Sequence, residues 1–167
     1  MASGNFDFRQ ALTTADIDTA RSLFLEYAAW LQIDLCFQGF TAELANLPGS
    51  YAPPRGRLLL AADTSADAGV VAGCVALRPL AVDTTGTACE LKRMWVRPEF
   101  RRRQAGRLLV ENALAAAHAI GYRTVKLDTL PAIMPQAVAL YRDLGFTECA
   151  PYYDSPIPGS LYMGRAL

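Results

Sequence analysis

An α+β fold on one mixed sheet is the architecture this sequence predicts, and three observations carry it. The chain has 167 residues, the size of one domain at roughly 150 residues per domain. Hydrophobic residues make up 52% and charged ones 19%, enough apolar surface to bury about 70% of what an unfolded chain of this size exposes. Periodicities of two and 3.6 then follow one another as strand, one or two helices, three strands, helix, strand, helix, strand, strand. That order is too irregular for a barrel. No internal repeat or low-complexity tract interrupts it, so one domain over 1–167 is expected.

Phe6 and Phe8 alternate with Asn5, Asp7 and Arg9, the pattern of a half-buried strand. Thr14 is placed as the N-cap of a helix from Ala15 to Gln32, whose apolar stripe is Ile17, Ala20, Leu23, Phe24, Tyr27, Trp30 and Leu31. A short helical patch from Thr41 to Leu47 stops at Pro48 and Gly49, and Pro53 and Pro54 hold a loop. Arg57 to Ala62 and Val70 to Leu77 read as an antiparallel hairpin joined by the polar stretch Asp63 to Gly69. Thr87 to Val96 is a longer strand closed by Pro98, and its Glu90, Lys92 and Arg93 are unusual charges for a central strand. Gln104 to Ile120 is a helix with Leu109, Ala113, Ala116 and Ile120 on one face and Gly121 just past its end. Thr124 to Leu127 is a short strand. Pro135 opens a helix whose inner face is Ala137, Leu140, Tyr141 and Leu144. Phe146 to Cys149 and Leu161 to Gly164 are terminal strands around a loop rich in proline and tyrosine.

Sixteen basic residues balance sixteen acidic ones, so bulk attraction to nucleic acid or to an anionic membrane has no support. The longest apolar runs, such as Leu58 to Ala62, fall far short of the ~20 residues that cross a bilayer. No basic segment followed by an apolar one opens the chain, so a soluble, cytoplasmic protein is expected. Cys36, Cys74, Cys89 and Cys149 are scattered and accompany a single histidine, which gives no familiar zinc spacing. They are expected to be buried free thiols, and no metal is expected. His118, late in the long helix, is expected to face solvent.

The balanced total hides a local excess. Seven of the sixteen basic residues lie between Lys92 and Arg107, where Glu99 is the one acid. A strand ending at Val96, a turn carrying Arg101, Arg102 and Arg103, and a helix opening at Gln104, Ala105, Gly106 and Arg107 together suit an anion. Free backbone N–H groups, the positive helix end and guanidinium groups all favour phosphate oxygens. Gly106 keeps a side chain from holding a diphosphate away from those donors. Taken alone, the same arginines also fit a solvated surface turn.

Arg101-Arg102-Arg103-Gln104-Ala105-Gly106 resembles the R/Q-x-x-G-x-G/A turn of the GNAT acyltransferase superfamily. Ala137 to Phe146, reading AVALYRDLGF, is similar to that family's A-x-x-L-Y-x-x-x-G-F stretch. Gln104 replaces the first glycine of the turn and is expected to take ordinary helical φ/ψ. Met134 stands where many members have asparagine.

The resemblance implies a GNAT-like mixed, mostly antiparallel central sheet of about six to seven strands with helices on both faces. It also implies transfer of an acetyl group from acetyl-CoA to a primary amine by direct attack in a ternary complex. Backbone groups of Met94, Trp95 and Val96 would hold the pantetheine arm, and Tyr141 would protonate the departing thiolate. With a phenol near 10 and a thiol near 8.5, full transfer is uphill by roughly 2 kcal/mol, so hydrogen-bond donation is its expected role. Glu90 is the candidate general base. An ordinary carboxylate and an ammonium are mismatched by about six pKa units, so direct proton abstraction requires burial or a water relay.

Tyr27, Trp30, Phe37, Tyr152, Tyr153 and Asp154 are candidate walls for the acceptor, a small-molecule or peptide amine, though such aromatics are more often packing. A homodimer is left open. The main rival is a non-catalytic acyl-CoA-binding or regulatory domain. A third reading is an interaction domain whose arginines meet an acidic partner.

Overall fold

The computed structural model describes residues 5–65 and 69–167. In chain order its elements are β1 (Phe6–Gln10), α1 (Thr14–Leu31), α2 (Phe40–Ala45), β2 (Arg57–Asp63), β3 (Val71–Pro79), β4 (Ala88–Val96), α3 (Ala105–Ile120), β5 (Thr124–Thr129), α4 (Pro135–Asp143), β6 (Thr147–Glu148) and β7 (Leu161–Ala166). Short turns of 3₁₀ helix lie at Cys36–Gln38, Gly49–Tyr51 and Pro98–Phe100. The seven strands form one sheet in the order β1-β2-β3-β4-β5-β7-β6. All neighbours pair antiparallel except β4 and β5. Residues 66–68 of the β2–β3 connection lie outside the described residues.

Alternation along the strands divides the core into two layers. Leu59, Ala61, Leu77, Cys89, Leu91, Val125 and Leu127 face α3 and α4, against Leu109, Val110, Ala113 and Tyr141. Leu58, Leu60, Cys74, Ala76 and Trp95 face the opposite way, against Ala20, Leu23 and Phe24 of α1 and against Tyr51. Helices therefore cover both faces, as expected.

Several boundaries differ from expectation for local reasons. Thr13, not Thr14, caps α1: its hydroxyl accepts from Asp16 N while the Asp16 carboxylate accepts from Thr13 N, a capping box. On α4 the buried residues are Val138 and Tyr141, with Ala137, Leu140 and Leu144 only partly covered. Strand β5 continues two residues past the predicted Leu127, to Thr129, and β7 runs on to Ala166. Cys74 and Cys89 are buried free thiols, but Cys36 is exposed and Cys149 half-buried. His118 is exposed.

Two irregularities shape the centre of the sheet. Cys74 pairs with Trp95 and Ala76 with Lys92, so one residue of β3 opposes two of β4. Arg93 takes up the extra length with φ 58, a bulge that breaks the alternation. Opposite it, a Cβ on Gly73 would collide with the Trp95 carbonyl, so only glycine permits this approach. The second irregularity is a splay: β4 and β5 pair only from Ala88 to Glu90 against Thr124 to Lys126. Beyond that point Leu91–Val96 has β3 on one side and, among the described residues, no strand on the other.

Candidate active site

The gap left by the splay is a cavity of about 60 Å³. Its walls come from both layers: Tyr141 of α4 from one face, Tyr27 of α1 and Gln38 from the other, with Leu91–Met94 and Leu127–Thr129 along the sides and Met134 at the start of α4. A second cavity, about 30 Å³, shares Tyr27, Gln38, Asp128, Thr129 and Met134 with the first. It continues toward Leu31, Leu35, Leu130, Ile157 and Ser160.

The open strand edge leads to the start of α3. Arg97 N donates to Ala72 O at 2.9 Å, so by the alternation of strand amides Val96 N–H turns toward the unpaired side. Two residues of the intervening turn are left-handed, Arg102 at φ 67 and Gln104 at φ 64. The expectation of helical φ/ψ for Gln104 is therefore corrected. Glutamine holds a conformation that glycine adopts without strain, at a cost of about 1–2 kcal/mol. Unlike α1, α3 has no side chain capping its first amides and no acid in its first turn. Gly106 faces the gap between the end of β4 and α4, where a Cβ would meet Val96 Cγ2 at 3.7 Å and Leu140 Cδ2 at 3.8 Å.

The cationic stretch is mostly neutralised, which the sequence did not indicate. Lys92 pairs with Glu90 and Asp128, Arg93 with Glu43, Arg97 with Glu26, Arg103 with Asp63, and Arg107 with Glu111 and Asp143. Arg103 reaches Asp63 through two bonds of 2.7 and 2.9 Å, so its side chain is turned to β2 and away from the turn's amides. Among the described residues Arg101 and Arg102 form no ion pair. Arg101 stacks its guanidinium 4.9 Å from the Trp95 ring and 5.4 Å from the Trp30 ring, and donates to Val96 O. Gln104, Arg101 and Arg102 are exposed, and Ala105 is buried beneath the turn.

The charges of β4 belong to a closed polar ring on the α1 side. Glu43 binds Arg93, Arg93 donates to Gln38, and Gln38 donates to the Tyr153 hydroxyl. Tyr153 donates to Asp128, Asp128 pairs with Lys92, Lys92 with Glu90, Glu90 with Arg78, and Arg78 returns to Glu43 at 4.0 Å. Three cations and three carboxylates balance, which is how a central strand buries Glu90, Lys92 and Arg93. The bulge at Arg93 is what lets consecutive Lys92 and Arg93 both join the ring.

Of the expected catalytic pair, Tyr141 lines the first cavity and its hydroxyl makes no hydrogen bond within the described residues. Burial, with smaller contributions from Tyr27 and Asp128, pushes its phenol well above the ordinary value. Glu90 lines neither cavity. Its carboxylate lies between Arg78, at 3.0 Å, and Lys92, at 3.6 Å.

Among the expected acceptor walls only Tyr27 lines the cavities; Tyr153 supports Asp128 from behind at 2.7 Å. Trp30 and Phe37 stand outside, each 40% exposed. Tyr152 packs on Tyr153 and Tyr162, and Asp154 is exposed. The residue that reasoning from sequence missed is Asp128, because the predicted strand stopped one residue before it. Among the described residues no cluster of His, Cys, Asp and Glu is arranged to hold a metal ion.

Comparisons with known proteins bear on the family and the fold. The profile described as "Acetyltransferase (GNAT) family" matches residues 18–146. A Schizosaccharomyces pombe protein named as an uncharacterized N-acetyltransferase is 38% identical over 163 residues, covering 98% of this chain and 96% of its own length. A GNAT-family acetyltransferase structure from Staphylococcus aureus superposes with a TM-score of 0.76 at 17% identity, covering 97% of this chain and 99% of that one. The Salmonella typhimurium structure of yncA, solved with acetyl-CoA, has a TM-score of 0.66 at 17% identity, covering 97% and 94%.

Proposed function

The chain belongs to the GNAT acetyltransferase family, and from that premise we propose that, as one domain over 1–167, it transfers an acetyl group from acetyl-CoA to a primary amine by direct attack in a ternary complex. The observation that carries this reading is an unpaired strand edge, Leu91–Val96, running up to an uncapped helix N-terminus. When bound, acetyl-CoA supplies the acetyl group as a thioester.

The residues present suit that ligand. The first amides of α3, the left-handed turn, and Arg101 and Arg102, which form no ion pair among the described residues, offer donors and positive charge for a diphosphate. The open side of β4 offers backbone groups to an amide-bearing arm in the manner of an added strand. Arg103, engaged by Asp63, contributes its backbone and not its side chain.

Tyr141 stands across the cavity from Asp128 and Gln38. As the amine's C–N bond forms and the C–S bond breaks, Tyr141 donates a hydrogen bond to the sulfur, and the ammonium proton leaves to water in the open gap. The raised phenol makes complete proton transfer from Tyr141 costlier than for an ordinary tyrosine, so hydrogen-bond donation is its role. Glu90 acts as a positioning residue by holding Lys92.

Calorimetric and thermal titrations with acetyl-CoA, with ATP at equal concentration as control, test the ligand. Incubation with labelled acetyl-CoA and pooled amines tests turnover. Stabilisation by acetyl-CoA but not ATP, with label passing to an amine, is expected. Equal response to ATP, or binding without product, would refute the reading.

A further inference from the structure

This inference rests on the acetyl-transfer reading and concerns which amines the site accepts. Asp128 is the one ionised side chain common to both cavities, and it is the only charged group among those lining the smaller one. Its Oδ1 receives Lys92 Nζ at 3.1 Å and its Oδ2 receives the Tyr153 hydroxyl at 2.7 Å. A carboxylate has about four acceptor positions, so each oxygen keeps one available. Both partners are themselves held, Lys92 by Glu90 and Tyr153 by Gln38, which fixes the carboxylate's orientation.

Beyond the residues it shares with the larger cavity, among them the polar Tyr27, Gln38 and Thr129, the smaller cavity is walled by Leu31, Leu35, Leu130 and Ile157, with Ser160 as the polar member of that end. The cations of the larger cavity are already engaged, Lys92 by two carboxylates and Arg93 by Glu43.

The geometry points to Asp128 as the residue that selects and positions the acceptor, and to the acceptor as a small primary amine with an uncharged, apolar body. The amine nitrogen donates to Asp128 at the junction of the cavities, and the body fills the leucine- and isoleucine-lined pocket. An α-amino acid would bring its carboxylate beside Asp128 with no cation left to meet it. A diamine would press its second ammonium into the apolar wall.

The test uses the full chain and pairs of acceptors that differ in one group: isobutylamine against valine, and pentylamine against 1,4-diaminobutane. Release of the CoA thiol reports turnover, and calorimetry reports acetyl-CoA affinity separately. The wild type is expected to favour isobutylamine and pentylamine by at least tenfold in kcat/KM. Asp128→Asn should raise KM for isobutylamine tenfold or more, with a smaller change in kcat and unchanged acetyl-CoA affinity. Ile157→Ala, which leaves the charged ring untouched, should shift preference toward benzylamine with acetyl-CoA affinity again unchanged.

Valine used as well as isobutylamine, an unaltered KM in Asp128→Asn, or unshifted preference in Ile157→Ala would overturn the inference. So would a wild type that binds acetyl-CoA yet acetylates neither apolar amine, and that result would leave acetyl-CoA binding intact. A wild type that fails to bind acetyl-CoA would overturn both this inference and the reading beneath it.

Discussion

Lys92 Nζ lies 3.1 Å from Asp128 Oδ1, across the gap that opens two residues after β4 and β5 stop pairing. Where backbone hydrogen bonds end, an ion pair takes over as the link between the two strands. The Lys92 side chain is 6% exposed and also compensates Glu90. Lys92→Met would leave the buried Glu90 and the half-buried Asp128 each short of a partner. It should lower stability by about 3–5 kcal/mol, measured by urea unfolding. A loss below 1 kcal/mol would mean the ring repairs itself without the lysine.

Tyr141 is expected to act through its hydroxyl. Tyr141→Phe keeps the ring packed edge-on against Phe146, so the fold and the acetyl-CoA affinity should survive while kcat falls by about a hundredfold. Because burial raises this phenol above its ordinary value, the hydroxyl stays protonated through pH 10. The wild-type rate should therefore show no falling limb below that pH from this group. Equal kcat in the variant would remove the proposed role.

Arginines of the turn should separate by their pairing. Arg102→Ala is expected to weaken acetyl-CoA binding about tenfold and to reduce its salt dependence, since this guanidinium is exposed and forms no ion pair among the described residues. Arg103→Ala should leave affinity nearly unchanged and lower the melting temperature instead, because its partner is Asp63. Calorimetry and melting curves on both variants read the contrast, and identical behaviour would contradict it.

Gly106→Ala tests closeness of approach at the helix start. The added methyl meets only side-chain atoms at 3.7 and 3.8 Å, ordinary contact, and alanine favours a helix by up to about 1 kcal/mol. Stability should hold or rise while acetyl-CoA affinity falls. Gln104→Val should behave oppositely: the glutamine at φ 64 already bears about 1–2 kcal/mol relative to glycine, and a β-branched residue is more strongly excluded from that region, so the variant should melt below wild type, whereas Gln104→Gly should be tolerated in both measurements.

The Asp63–Arg103 pair has a definite pH signature. Hydrogen bonds from Arg103 and then Ser65 hold the Asp63 carboxyl well below its ordinary 3.8. A depressed folded value means the stability is fully present above the unfolded value and is lost as pH falls through the folded one. Asp63→Asn should melt earlier than wild type at pH 7, and the difference should shrink below about pH 4. A constant difference across that range would show that the pair carries no linkage.

The element order, the sheet and the turn that precedes α3 were legible in the sequence because alternation, helical spacing and Pro/Gly punctuation are local signals. Leu58 and Leu60 facing one layer while Leu59 and Ala61 face the other needed only period two. Fates of charges were not legible, since Arg103 finds Asp63 forty residues away and Arg93 finds Glu43 fifty away. The left-handed Gln104 escaped detection because glutamine carries no signal for positive φ. Asp128 was missed for a simpler reason: β5 ends two residues later than its apolar pattern suggests, since its tail lines a cavity instead of a core.

An unpaired strand edge in the middle of a sheet is ordinarily an invitation to aggregation, because any passing strand can add to it. Here Tyr27 and Tyr141 flank Leu91–Met94 from the two layers, so a strand with side chains on both faces would have to pass between two aromatic rings. The same feature that leaves backbone groups wanting partners thus favours a thin guest over an added strand at that edge.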